Sequence, residues 1–270
     1  MTRTLVVVDD GPGRTATVRA ARAVAPVLGT RLAGVHAPPA SSPDVEAALA
    51  ARLGFPVAPL AGDPVAGVLA AIADPDVALA VVGGEDHVGA VSTSPRLAPE
   101  LARRTTTPLL VVPPRARLGL QGPVRRVLLP LDGRVETTRR CQALTDRFTD
   151  AGVDLIALHV FDPAHTPPFL DEACHEVAAW QQEFRARHLR PEHRLELARG
   201  ATWDSLRRCA EDVGAELLLL GWSRSLAPGR AAVVRSALAD RRMPTLLVPD
   251  PADRAAGPGP SPLAVAPGPG

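Results

Sequence analysis

The sequence predicts an α/β protein built twice over: two doubly wound, five-stranded parallel-sheet domains in tandem. Three observations lead there. The apolar run Leu5-Val6-Val7-Val8 ends in Asp9-Asp10-Gly11, and 123 residues later Val127-Leu128-Leu129-Pro130-Leu131 ends in Asp132-Gly133. Such a run reads as a strand buried on both faces, with its polar end at the rim of a sheet. Further landmarks repeat in the same order: His36 with His159 at the same offset, Gly62 with Gly200 and Gly83 with Gly221 at 138, and Pro108 with Pro244 at 136. Ordered landmarks with small drifts mark a duplicated domain. Finally, strand-like runs alternate with helix-length segments, which demands crossovers and therefore parallel pairing.

Taken in order, residues 5–8 form the first strand. From Thr15 to about Leu28 small and apolar residues alternate with arginines that begin at Arg14, Arg19 and Arg22, an amphipathic helix with Gly29 as its C-cap. Residues 31–36 are the second strand, residues 44–53 a short helix ended by Gly54, and residues 55–60 the third strand. Gly62-Asp63-Pro64 is a turn that sets Pro at a favoured first helical position. A helix over 65–73, a fourth strand over 77–82, a loop over 83–94, a helix over 97–104 and a fifth strand over 109–112 complete the unit. The second copy places strands near 127–131, 154–160, 194–198, 216–220 and 245–248. Its offset grows by 15 residues between the second and third strands, so residues 168–190 can form a longer helix with Trp180 and Phe184 at i, i+4 spacing. The expected domains are 1–113 and 124–250, joined by a short, exposed linker over 114–123 and followed by a Pro/Gly-rich, disordered tail over 251–270.

Composition narrows the function classes. The 270 residues hold no apolar run near the ~20 residues of a membrane span and begin without a leader-like segment, so a cytoplasmic protein with no membrane partner is expected. Three cysteines, Cys141, Cys174 and Cys209, fit reduced thiols better than a disulfide frame. All 30 basic residues are Arg and the formal net charge is +1, which offers no electrostatic footprint for nucleic acid, so no nucleic-acid partner is expected. The richness in Arg, Ala, Pro and Gly fits a GC-rich bacterial genome.

An apolar strand ending in Asp-Gly, a strand ending in Leu-His-Val, a Gly turn before a helix, Ala-Glu-Leu-Leu-Leu-Leu-Gly, and Met-Pro-Thr-Leu-Leu-Val together resemble the universal stress protein family, here as a tandem member. The resemblance covers nearly the whole chain twice. It implies Rossmann-like five-stranded sheets, ATP binding in many members, and a pairing of the two halves as an intramolecular pseudo-dimer through the fifth strands. A further homodimer and a protein partner are left open.

The strand-end acids Asp9 and Asp132 sit where ligands bind in open α/β sheets. Either could accept a hydrogen bond from adenosine, or simply cap the turn that follows. In the ATP-binding pattern the fourth strand is followed by Gly-x-x-Gly, nine residues, and Gly-Ser or Gly-Thr at a helix N-terminus, because glycine amides and the helix end cradle phosphates. Gly83 and Gly221 match its first glycine. Asp86 and Arg224 replace the second, and Pro95-Arg96 and Ala231-Ala232 stand in place of Gly-Ser. Arg224 and Arg230 could compensate as phosphate ligands or be solvated loop residues. Ser92-Thr93-Ser94-Pro95 reads first as a helix start.

His36 and His159 read as buried, hydrogen-bonded strand-end residues. Cys174-His175 with His165, His188 and His193 match no tetrahedral metal pattern, so no metal is expected. Trp203 and Trp222 read as packing residues. No catalytic triad, acid pair or Walker motif is visible, so no catalytic residue is named. The expectation is a non-enzymatic stress-response regulatory or binding protein with degenerate nucleotide loops and no cofactor. The alternatives are an ATP/AMP-binding member using atypical loops and an enzyme on the same nucleotide-binding architecture, such as a nucleotidyl-transferring ligase.

Overall fold

A computed structural model describes residues 2–9, 14–37, 43–60, 62–84, 97–161, 177–225 and 231–250. The first half runs β1 (Arg3–Val8), α1 (Arg14–Val24), β2 (Arg31–His36), α2 (Pro43–Leu53), β3 (Val57–Pro59), α3 (Pro64–Ile72), β4 (Val77–Gly83), α4 (Leu97–Arg104) and β5 (Leu109–Val112). The second runs β6 (Arg126–Pro130), α5 (Val135–Asp150), β7 (Asp154–Phe161), α6 (Val177–His188), β8 (Arg194–Arg199), α7 (Thr202–Asp212), β9 (Leu217–Trp222), α8 (Ala232–Ala239) and β10 (Thr245–Pro249). The third strand is shorter than the sequence implies. The part of the long helix expected over 168–176, and the tail, lie outside the described residues.

All ten strands join one sheet in the order β3-β2-β1-β4-β5-β10-β9-β6-β7-β8. Each half keeps the same internal order and is parallel throughout. The halves meet where β5 and β10 pair antiparallel, with Thr245 opposite Val111, Leu246 opposite Leu110 and Leu247 opposite Leu109. Both strands are apolar on both faces and buried, so neither is a tolerable exposed edge. Pairing them removes both edges at once.

Alternation along the strands feeds two cores. Val6 and Val8 join Leu110, Leu129 and Phe148 on one face, where α1, α5 and α6 lie. Leu5 and Val7 join Ile72, Leu101, Leu206 and Leu218 on the other, under α3, α4, α7 and α8. The buried alanines of α1, Ala16, Ala20, Ala21 and Ala23, let that helix approach the sheet closely. The seam is bonded on both faces as well. Trp222 Nε1 donates to the Ala102 carbonyl at 2.7 Å, and Arg147 Nη1 donates to the Leu28 carbonyl at 3.2 Å.

The connecting segment is exposed at residues 115, 117 and 120–123, as expected of a linker, but is anchored on α1 through Ala116 and Leu118, which are buried among α1 residues and the seam. Arg19 holds it by donating from Nε to the Leu118 carbonyl at 3.0 Å and from Nη2 to the Ala116 carbonyl at 2.5 Å. Gly119 has φ +79°, and a Cβ there would stand 2.6 Å from the Arg19 carbonyl oxygen, so only glycine fits. Val124 N–H then donates to the Ala23 carbonyl at 3.1 Å before β6 begins.

Candidate functional site

In open α/β sheets ligands lodge beyond the carboxyl ends of the strands, where the strand order reverses. Here that point falls between β1 and β4 in the first half and between β6 and β9 in the second. Asp9 follows β1 and Gly83 ends β4, and the two come together. A methyl group placed on Gly83 would lie 3.7 Å from Asp9 Oδ2 and 3.2 Å from Thr17 Oγ1. Thr17 is buried in the first turn of α1. The glycine therefore serves close packing of α1 on the strand end, as well as leaving room beside the carboxylate. Asp86 and Pro95 lie outside the described residues.

The second half is arranged differently. Asp132 turns to its own loop: its Oδ1 accepts from the Arg134 N–H at 3.0 Å and its Oδ2 lies 3.7 Å from Arg134 Nε. The three atoms nearest a Cβ on Gly221 all belong to α5, with Thr137 Cγ2 at 3.4 Å and Cys141 Sγ at 3.5 Å. Burial pushes the Cys141 thiol up to about 12, which keeps it protonated and unreactive. Arg224 holds φ +59°, a left-handed conformation found at no other non-glycine residue described. It occupies the position at which the ATP-binding pattern has its second glycine. Arg230 lies outside the described residues. Ala231 is the N-cap of α8 and makes no side-chain capping bond, where the pattern would supply a glycine and a hydroxyl.

Helix α6 adds a cluster across the ends of β6 and β7. The His159 ring lies 4.8 Å from both Phe161 and Trp180, Trp180 stacks on Phe184 at 4.8 Å, and Phe184 meets His188 at 4.7 Å, centroid to centroid. Polar bonds lock the ends: His159 Nδ1 donates to the Leu131 carbonyl at 2.9 Å, and His188 Nδ1 pairs with Thr138 Oγ1 at 2.8 Å. Burial lowers the pKa of both histidines; Asp132 pulls each in the opposite direction, more weakly. The Trp180 and Phe184 spacing signalled a shared helix face, but nothing local signalled that His159, Phe161 and His188 would complete it.

The other residues singled out from the sequence lie elsewhere. His36 and Glu46 are both buried, with Nδ1 and Oε1 4.0 Å apart. His193 Nε2 pairs with Thr149 Oγ1 at 2.8 Å. Trp203 packs in the second core. Among the described residues no three His, Cys, Asp or Glu converge as a metal site requires, and no helix is long and apolar enough to cross a membrane. Cys174, His175 and His165 lie outside the described residues. Two cavities open against α1 and α2.

Residues 123–240 match the model of the universal stress protein family. The whole fold is similar to a universal stress protein from Archaeoglobus fulgidus, at 12% identity and TM-score 0.62, covering 91% of this chain and 98% of that one. It is also similar to a Pseudomonas aeruginosa chain described as a universal stress protein, at 16% identity and TM-score 0.66, covering 94% of this chain and 96% of that one. These similarities establish the Rossmann-like architecture over both halves. No curated protein matches the chain.

Proposed function

We propose that the chain is a tandem universal stress protein that acts by binding rather than by catalysis, a stress-response regulator whose phosphate loops have degenerated. Support for the tandem reading comes from the family match over residues 123–240, the identical strand order of the other half and the β5–β10 seam between them. The observation that carries weak nucleotide binding is the second-half phosphate end. Gly221 is packed against α5, the left-handed position is held by Arg224, and α8 begins on an alanine without a capping hydroxyl. A triphosphate there finds neither the paired glycine amides nor the hydroxyl that a phosphate cradle uses. Nor do the nearby buried groups offer a poised acid or nucleophile, since His159 is tied to Leu131 and the Cys141 thiol stays protonated. The first half keeps Asp9 beside Gly83, and this favours it as the place where a residual adenosine contact would persist.

Thermal unfolding with Mg-ATP tests the proposal. A ligand at 100 times its dissociation constant stabilises its site by about 2.7 kcal/mol, several degrees for a protein of this size. The strand-end contribution, meaning the part of any Mg-ATP shift that Asp9→Ala or Asp132→Ala removes, is expected to be under about 1 °C on that scale. A shift of several degrees that disappears in Asp9→Ala or in Asp132→Ala overturns the proposal and locates the site in the corresponding half.

A further inference from the structure

We infer that the cleft between α1, the last turn of α2 and the connecting segment binds a small polyanion, a ligand carrying two or more adjacent phosphate groups. The cavity measures about 590 Å³, within the range of small-molecule sites. Arg14, Arg19 and Arg22 enter it from α1 and Arg52 from α2, while Gly119 and Gly122 close the third side; no carboxylate is among its described lining residues. A second cavity of about 480 Å³ shares Arg22 and adds Arg31, extending the cationic surface. In a chain whose charges nearly cancel, with 30 basic and 29 acidic residues, this concentration is a local asymmetry. It has a structural origin, because α1 contains three arginines and no acid over its 11 residues.

Two of these arginines are held by the main chain, not by carboxylates. Arg19 donates to the Ala116 and Leu118 carbonyls, and Arg22 Nη2 donates to the Leu53 carbonyl at 2.8 Å. Arg19 thus spends two of its five N–H donors and retains its full charge, and Arg22 is oriented in the same way. Pre-oriented guanidinium groups lose little freedom on capturing a ligand, and their planar forks match phosphate oxygens. Like charges gathered in one partly enclosed cleft also repel, so an anion that bridges Arg19, Arg22 and Arg52 relieves that repulsion. Convergence from two helices around a bounded volume favours a compact anion over an extended acidic peptide.

Calorimetric titration of the full chain with sodium tripolyphosphate tests this at two salt concentrations. The expected result is saturable one-to-one binding that weakens with salt, weakens at least tenfold in Arg22→Gln/Arg52→Gln, and is unchanged in Asp9→Ala. Arg52 is exposed and at the end of its helix, so Arg52→Glu provides a variant that keeps the fold and should abolish binding. No saturable binding at millimolar probe, or equal binding by Arg52→Glu, overturns the inference. Tighter binding of hexaglutamate than of tripolyphosphate overturns it in favour of a peptide-docking surface. A Mg-ATP shift that survives both aspartate variants and vanishes in Arg52→Glu belongs to this cleft and not to the strand ends.

Discussion

His36 and His159 occupy the same place in the two halves, near the end of the second strand of each sheet, and meet quite different surroundings. His36 faces the buried Glu46 of α2. His159 bonds to the Leu131 carbonyl and sits among Phe161, Trp180 and Phe184. The strands around them share one order; the helices that follow do not share a chemistry. One crossover brings an acid under the strand ends, and the other brings a stack of rings. Duplication copied the sheet, and the crossover between the second and third strands is where the copies parted.

The comparison can be broken most forcefully at the seam that holds the halves together. Val111 is 3% exposed and lies opposite Thr245. Val111→Arg places an unpaired charge in the core under α4 and α8, beside the seam, a change in the class that costs about 3–5 kcal/mol. It should part the halves, raise the radius of gyration in small-angle scattering and expose the connecting segment to protease. A variant that stays as compact as the parent would show that the halves are held by something other than this pairing.

A smaller effect should separate the halves by pH. Burial lowers the pKa of His159, His188 and His193 in the second half. Their unfolded imidazoles take up protons below about pH 6.5 while the folded ones resist. The unfolded state then binds more protons, so this contribution is fully present above about pH 6.5 and is lost as pH falls from there toward the folded values. Trp180, Trp203 and Trp222 are the chain's 3 tryptophans and all lie in the second half, so their fluorescence reports it. Urea midpoints by tryptophan emission should fall between pH 7.5 and 5.5, and His193→Gln should flatten the slope. A flat parent profile would mean that these histidines do not resist protonation in the fold.

The smallest expected effect is at Arg224. A side chain in the left-handed region costs about 1–2 kcal/mol, and glycine returns about 0.5–1 kcal/mol of that through its freer unfolded chain. Arg224→Gly should therefore be neutral to stabilising, by about 1 kcal/mol at most, and would put a glycine where the ATP-binding pattern has its second one. A denaturation midpoint clearly below the parent's would show that the arginine side chain itself holds the loop.

Much of the fold could be read from local pattern. The strands of both halves carry runs such as Leu5-Val6-Val7-Val8 and Leu217-Leu218-Leu219-Leu220, which only a doubly covered sheet can accept. The seam strands were legible for the same reason. The candidate site was legible only as positions. Asp9 and Gly83 stand 74 residues apart in sequence, and their meeting depends on β1 and β4 lying side by side. Thr17 and Thr137, which pack against the two glycines, fall at an offset of 120 and not 123, so the offset of the strand-end acids does not foretell them.

The connecting segment shows where local reading stops. Its prolines and glycines describe a linker, yet Ala116 and Leu118 alternate with Arg115 and Arg117 and find the small-residue surface of α1. The sequence by itself determined the class of fold, the repeated strand order and the strands that had to pair. Those are consequences of burial and backbone freedom, which act over a few neighbouring residues. Tertiary structure alone decided that Asp132 serves its own turn, that five rings gather over one pair of strand ends, and that arginines from α1 and α2 share a cleft. Each of those depends on groups far apart in sequence, whose distances are set by how helices lie across a sheet.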